Sequence, residues 1–357
     1  MHLYRFHFYQ MRRFFVFCSL LSFAGPASLV CGTTTIPDLA TTGLPSLGQV
    51  VVPTTSPIEK YAVWHMLRPR FSSATVASGS YLYVIGGANE SDVALGSVER
   101  IDLATGHSEE FTKLRVARYG HRAVLVEDRI IVLGGRRAWG SKGLGLEGSI
   151  ESIDLASGRI EVLGNMPEPL TRFGCVEYKN TVYITGGLRD RDRRSWINAS
   201  WAYDLARNKW TSAAPMFTPR ETEAVHVGGG FVIAIGGFNG GRSLANVEAW
   251  NLREGSWQRL PEMIKPRGAS ATVFIHPYIL LFGDYEAVEE ILAYDMRTKT
   301  SEVLRVGYSP ARSAAVTATA DFVYVVGGKD GPGPDSHSLD MVQVFKLAHD
   351  SRLRGKK

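Results

Sequence analysis

Six times along this chain an apolar run stops abruptly at glycine: Val84-Ile-Gly-Gly87, Val132-Leu-Gly-Gly135, Ile184-Thr-Gly-Gly187, Ala234-Ile-Gly-Gly237, Leu281-Phe-Gly-Asp284 and Val325-Val-Gly-Gly328. The first glycines lie 48, 52, 50, 47 and 44 residues apart. A unit of about 50 residues made of short strands cannot bury a core alone, so its copies must pack against one another. Glycine ends each strand where the chain turns without a Cβ clash. The 37 glycines and 16 prolines, in a chain that is 45% hydrophobic and 21% charged, fit one turn-rich all-β body better than the two domains its length would suggest.

Other columns repeat with the glycines. An arginine precedes each by fourteen to sixteen residues: Arg70, Arg118, Arg172, Arg220, Arg267 and Arg312. Downstream come Ile101-Asp102, Ile153-Asp154, Tyr203-Asp204, Trp250-Asn251 and Tyr294-Asp295, each read as a strand end with the acid or amide that opens its turn. Trp210 and Trp257 follow six residues later and are expected between neighbouring units. The sixth unit ends at Met341–Leu347 without a fourth strand, which Tyr61-Ala-Val-Trp64 can supply from the other end of the chain. The expected architecture is an all-β, six-bladed β-propeller of four-stranded antiparallel blades over residues 57–349, its ring closed by an N-terminal strand.

The order arginine, diglycine, Tyr-Asp-like pair, tryptophan resembles the kelch repeat family over about residues 60–347. Gly283-Asp284, and the blades without tryptophan, depart from the pattern. In kelch domains that act as partner-binding modules, some arginines of this column face the binding cleft and engage acidic peptides. The resemblance therefore makes all six arginines candidates, although a side chain present in every blade also suits a repeated hydrogen-bonding strut.

Arg12-Arg13, the run Phe14–Phe23 and Ala24-Gly25-Pro26-Ala27 follow the order of a secretory signal, expected over residues 1–27. The apolar run is too short to span a bilayer. Residues 28–56 read as a Thr/Pro-rich tether and 350–357 as a basic tail. The expected location is periplasmic or extracellular. Cys31 is a possible lipid-attachment point, against which Val30 stands where Gly, Ala or Ser is usual. The formal charge of +5 is concentrated at the ends, where residues 1–27 hold three arginines and no acid, so a nucleic-acid partner is not expected. With Cys31 in the tether and Cys175 on an expected inner strand, a disulfide framework is not indicated.

Candidate sites fall in two places. Three residues after the arginines, His121, Cys175 and Glu223 stand on successive innermost strands, a donor set that could bind zinc or share acid–base work but is better read as packing. The loops after the diglycines vary most, and those of blades 2 and 3 carry Arg136, Arg137, Trp139, Arg193, Arg194 and Trp196. Arginine beside an exposed tryptophan offers bidentate donors and a stacking face for an acidic peptide or anionic sugar. No serine elbow, phosphate loop or paired-histidine motif is present, and Gly143–Gly148 matches a dinucleotide fingerprint in spacing alone. The leading reading is an exported, non-enzymatic module without cofactor or metal that binds a protein or glycan. The alternative is a sugar-handling enzyme resembling the N-acetylneuraminate mutarotases, with Glu223, Arg220 and His121 as catalytic candidates. No Tyr/His set matches the copper site of the galactose oxidases.

Overall fold

The computed structural model describes residues 56–137, 145–189, 195–221, 225–333 and 335–348. The expected signal and basic tail, and Trp139, Arg193, Arg194 and Glu223, lie outside the described residues. Six four-stranded antiparallel sheets follow one another. Blade 1 comprises Ala74–Ser78, Tyr81–Ile85, Ser97–Asp102 and Ser108–Lys113, and blade 2 comprises Arg122–Val126, Arg129–Leu133, Ser149–Asp154 and Ile160–Asn165. Blade 3 is built from Gly174–Tyr178, Thr181–Thr185, Ser200–Asp204 and Lys209–Ala213, and blade 4 from Val225–Gly228, Phe231–Ile235, Val247–Asn251 and Ser256–Leu260. Blade 5 holds Ala271–Ile275, Tyr278–Phe282, Ile291–Asp295 and Thr300–Leu304. In blade 6, Ala315–Ala318, Phe322–Val326 and Met341–Leu347 are joined by Ile58–His65, which pairs antiparallel with Met341–Leu347.

Second strands such as Leu82-Tyr-Val-Ile85 are buried on both faces, which is why they read as unbroken apolar runs. Core side chains lie between blades: Val124 and Leu133 of blade 2 meet Phe173, Ile184 and Tyr203 of blade 3, while Ile233 and Ala249 of blade 4 meet Leu281 and Tyr294 of blade 5. The tryptophans stitch blades together as expected. Trp210 Nε1 donates to Asn165 O (3.1 Å) and Trp257 Nε1 to Ala214 O (2.9 Å), each on the stretch leading from the preceding blade.

At the diglycine end the innermost strands are tied by backbone. Ser313 N–H donates to Ala269 O, Ser72 N–H to Ser313 O, Gly120 N–H to Ser72 O, and Arg172 N–H to Gly120 O, all at 2.8–2.9 Å. Ser72, Gly120, Arg172, Ala269 and Ser313 all have φ between 50 and 63°. This left-handed conformation is costly for a side chain other than glycine and persists where the surroundings fix it.

The arginine column needs correction in two blades. Arg70, Arg118 and Arg220 are 0% exposed and pair with Glu99, Glu151 and Glu248 on the third strands. Each also donates to the carbonyl of the glycine sixteen residues on. In blades 3 and 6 that place belongs to Leu170 and Ala311, because the diglycine N–H of blade 2 donates to Leu170 O, and Gly174 and Ala315 take the register of Ala74. Arg172 thus sits two positions past the strut and Arg312 one. The cause is spacing: the true struts lie sixteen residues before their glycine, Arg172 fourteen and Arg312 fifteen.

The partners change with the struts. Glu99, Glu151 and Glu248 also accept the linker N–H groups of Leu67 (2.8 Å), Arg115 (2.8 Å) and Phe217 (2.7 Å). In blade 3 the glutamate position is Trp201 and the linker residue is Pro167, which has no N–H to satisfy. Blade 6 uses Gln343, whose Oε1 accepts Ser309 N–H at 2.7 Å. Blade 5 has Leu292 there, so Arg267 pairs instead with Glu290 (2.6 Å), and Ser301 Oγ accepts Ile264 N–H (2.8 Å). Blades 1, 2 and 4 satisfy these buried polar groups with one arginine–glutamate pair, and blades 3, 5 and 6 each do so by a different substitution.

Candidate functional site

With the register corrected, the position directly after each diglycine becomes the informative one. It holds Ala88, Arg136, Leu188, Phe238, Tyr285 and Lys329 in blades 1 to 6. Facing it across short bridges stand Phe71, Tyr119, Thr171, Glu221 and Arg312. In blades 1, 2, 4, 5 and 6 this tier at the diglycine end, the mouth of the channel, carries aromatic rings or cations, with Leu188 and Thr171 in blade 3.

Lys329 Nζ lies 4.5 Å from the Phe71 ring centroid, Phe71 packs edge-on to Tyr119 at 6.2 Å, and Arg136 lies over Tyr119 at 4.4 Å. Arg172 Nη1 donates to Glu221 Oε2 (3.0 Å) and to Tyr285 Oη (3.4 Å), so one side chain of blade 3 reaches past blade 4 to blade 5. Arg312 covers the other side of this group, 5.5 Å from the Tyr285 centroid, while its Nε donates to Gly331 O at 2.6 Å. Phe238 packs against Tyr285 (5.4 Å) and Trp196 against Phe238 (6.4 Å). Arg136 (2% exposed) and Lys329 (9%) are buried against their rings, whereas Arg172 and Arg312 are half-buried and meet at Tyr285. Burial, and next the charge of Arg172, bring the Arg136 guanidinium down to about 9. That depression is relieved by an anion.

Blade 5 departs locally. Asp284 replaces the second glycine, is buried, and accepts Gly268 N–H at 2.7 Å with its side chain. Desolvation raises its pKa. The channel below the mouth has a volume of about 420 Å³ and is lined by the innermost strands of all six blades. Its wall is hydroxyl-rich on blades 5, 6 and 1 (Ser270, Thr272, Ser313, Thr317, Ser73, Thr75), with Arg122, Cys175, Glu177 and His226 on the remaining blades.

The expected donor group of His121, Cys175 and Glu223 is not a column. His121 stands level with Phe173 and Ser73, since a Cβ on Gly135, Gly187 or Gly87 would meet these three in turn. Cys175 lines the channel, its thiol pushed up to about 12 by burial. Arg220, offered as a cation for a sugar carboxylate, is enclosed against Glu248, and His121 is 0% exposed. Of the loop candidates, Arg137 is on the surface with Glu147 3.4 Å away, and Trp196 borders the ring. Among the six arginines offered for a partner, Arg70, Arg118, Arg220 and Arg267 are buried in ion pairs, whereas Arg172 and Arg312 reach the mouth. Sequence reasoning offered Arg136 as a loop cation and passed over Phe238, Tyr285 and Lys329. Their common offset from the diglycine was the signal that could have found them.

Desolvation lowers the His121 pKa from 6.5 to about 3. The unfolded chain then binds the extra proton between those values, so stability is complete above about pH 6.5 and falls as pH drops toward 3. Going from pH 7 to pH 5 is expected to cost about 2 kcal/mol through this residue. Urea unfolding at both pH values checks this: His121→Phe, with the residue of blade 3, should flatten the dependence, and an unchanged slope would count against it.

The sequence matches the KLHDC2/KLHL20/DRC7 Kelch-repeats domain over residues 72–284, more than half the chain. It is 25% identical over 260 residues to alpha-scruin of Limulus polyphemus, covering 66% of this chain and 28% of that protein. It is 23% identical over 251 residues to Kelch-like protein terF of Aspergillus terreus (65% and 54%), and 26% identical over 229 residues to human Kelch-like protein 34 (60% and 35%). The aligned regions span from about a quarter to about half of these relatives. Diglycine turns, turn acids and the arginine–glutamate struts of three blades agree with the match, and the chain belongs to the kelch-repeat family.

Proposed function

We propose that the diglycine mouth is a recognition site for an acidic segment of a partner protein. Kelch-repeat propellers are typical protein-interaction modules, and the observation that carries the finer reading is the meeting of the half-buried Arg172 and Arg312 at Tyr285, with the buried charges of Arg136 and Lys329 packed on rings behind them. Carboxylates of an extended peptide take bidentate bonds from such guanidiniums, while Phe238, Tyr285 and Trp196 supply flat apolar area beside them. Arg172 is the anchor of this reading. Its column holds Ser72, Gly120, Ala269 and Ser313 in the other described blades, so nothing in the fold calls for a long cation there.

The test follows from that column. Arg172→Ser installs the residue that blades 1 and 6 carry at the same φ, and made together with Glu221→Gln, so that no buried carboxylate loses its charge partner, it should leave the melting temperature unchanged. Affinity for acidic peptides selected from a display library should drop about tenfold or more, with a weaker salt dependence. Undiminished binding, or a library that yields no acidic sequence, would overturn the proposal.

A further inference from the structure

A second cavity lies at the opposite end of the strands from the mouth, between blades 4 and 5. Its volume is about 390 Å³, within the range of small-molecule pockets. Val227, Phe231, Ile233, Ala249 and Leu260 of blade 4 form one wall, and Phe274 and Met296 of blade 5 the other. Its polar lining is His226, Gln258, His276 and Lys299, with no carboxylate among the lining residues.

Two features of the sequence open this slot. The hairpin of blade 4 reads Gly228-Gly229-Gly230-Phe231, where blade 3 has Tyr178-Lys179-Asn180-Thr181 at the same register. Lys179 and Asn180 adopt φ of 53° and 59°, as Gly229 and Gly230 adopt 60° and 82°, so glycine is not demanded by the turn. A Cβ at Gly229 or Gly230 would meet nothing within 4 Å, so crowding does not demand it either. What the glycines do is leave the entrance clear. The tryptophan column is also missing: opposite Tyr294, where blades 3 and 4 place Trp210 and Trp257 opposite Tyr203 and Trp250, blade 5 has Ser301. Tyr294 Oη takes over the tryptophan's hydrogen bond to the linker, donating to Pro261 O at 2.9 Å. The interface stays tied while losing its bulkiest filler.

We propose that this slot binds a small aromatic carboxylate, its rings between Phe231 and Phe274 and its carboxylate at Lys299. The apolar walls suit a flat hydrocarbon body, and a cation without an acid beside it in the lining selects an anion over a neutral or cationic ligand. His226 is committed elsewhere, its Nε2 lying 3.0 Å from Thr272 Oγ1, which leaves Lys299 and the exposed His276 at the rim. The site is independent of the mouth, and each proposal can fail without the other.

Calorimetric titration with 1-naphthoate, and with 1-naphthylmethanol as the uncharged control, tests it on the full chain. Lys299→Gln should weaken naphthoate about tenfold and leave naphthylmethanol unchanged. Gln258→Trp, which lays a ring across the slot from an exposed position, should remove binding of both, whereas Arg172→Ser at the mouth should alter neither. Melting curves of the variants certify their folding. No naphthoate binding at millimolar concentration, equal loss of acid and alcohol in Lys299→Gln, or full binding in Gln258→Trp would each overturn the proposal.

Discussion

Arg118→Ala is expected to destabilise the protein by about 3–5 kcal/mol, and adding Glu151→Gln to it is expected to restore about 2 kcal/mol. The sign of the second step is the informative part. Arg118 and Glu151 are both fully enclosed, so removing the arginine leaves a carboxylate with neither water nor a counter-charge. Converting that carboxylate to an amide removes the stranded charge yet keeps an oxygen for the N–H groups of Arg115 and Val116. Blade 6 already contains this arrangement, with Ala311 at the strut and Gln343 holding the linker. A denaturant-based double-mutant cycle checks it. A double variant less stable than Arg118→Ala alone would show that the charge pair is not what the blade depends on.

Removing Ile58–His65 should cost about 5 kcal/mol or more, which is comparable to the whole stability of an ordinary domain. The strand buries Ile58 among Val323 and Phe345, sets Trp64 against Tyr324 at 5.7 Å, and pairs along the length of Met341–Leu347. Without it, that third strand becomes an open edge bearing unpaired backbone groups, a template for association with another chain. The truncated protein should melt at least about 10 °C lower and elute partly as oligomers on size exclusion. Coincident melting curves for the truncated and full-length chains would refute the role given to this strand.

The fold was legible because its signals are backbone signals. A diglycine ends a strand and an Asp or Asn opens a turn whatever the neighbouring blade contains, so Gly86-Gly87 and Asp102 could be placed without knowing the packing. The arginines were harder. Arg172 and Arg312 lie within two residues of the strut position, in the turn that precedes the innermost strand, and there the chain carries their side chains to Tyr285 instead of to an interior glutamate. The glutamates were equally informative had they been aligned, since Glu99 and Glu151 stand three residues before Asp102 and Asp154. The mouth was legible in part: Arg136 was visible as a loop cation, but the packing of Lys329 on Phe71 and the bond of Arg172 to Tyr285 join residues from different blades. No local pattern encodes a contact that depends on how six units are arranged in space.

The backbone bonds running from Arg172 to Gly120, Ser72, Ser313 and Ala269 all point the same way, each blade giving its N–H to the one before. Such a one-way hoop, described in five of the six blades, fixes the bore of the channel there through main-chain atoms. Side chains mounted on it are interchangeable fittings: serine, glycine, alanine and arginine share one φ there. A lineage carrying this hoop can retool what its opening grips by exchanging a single fitting, with no change to the gauge of the frame that holds it.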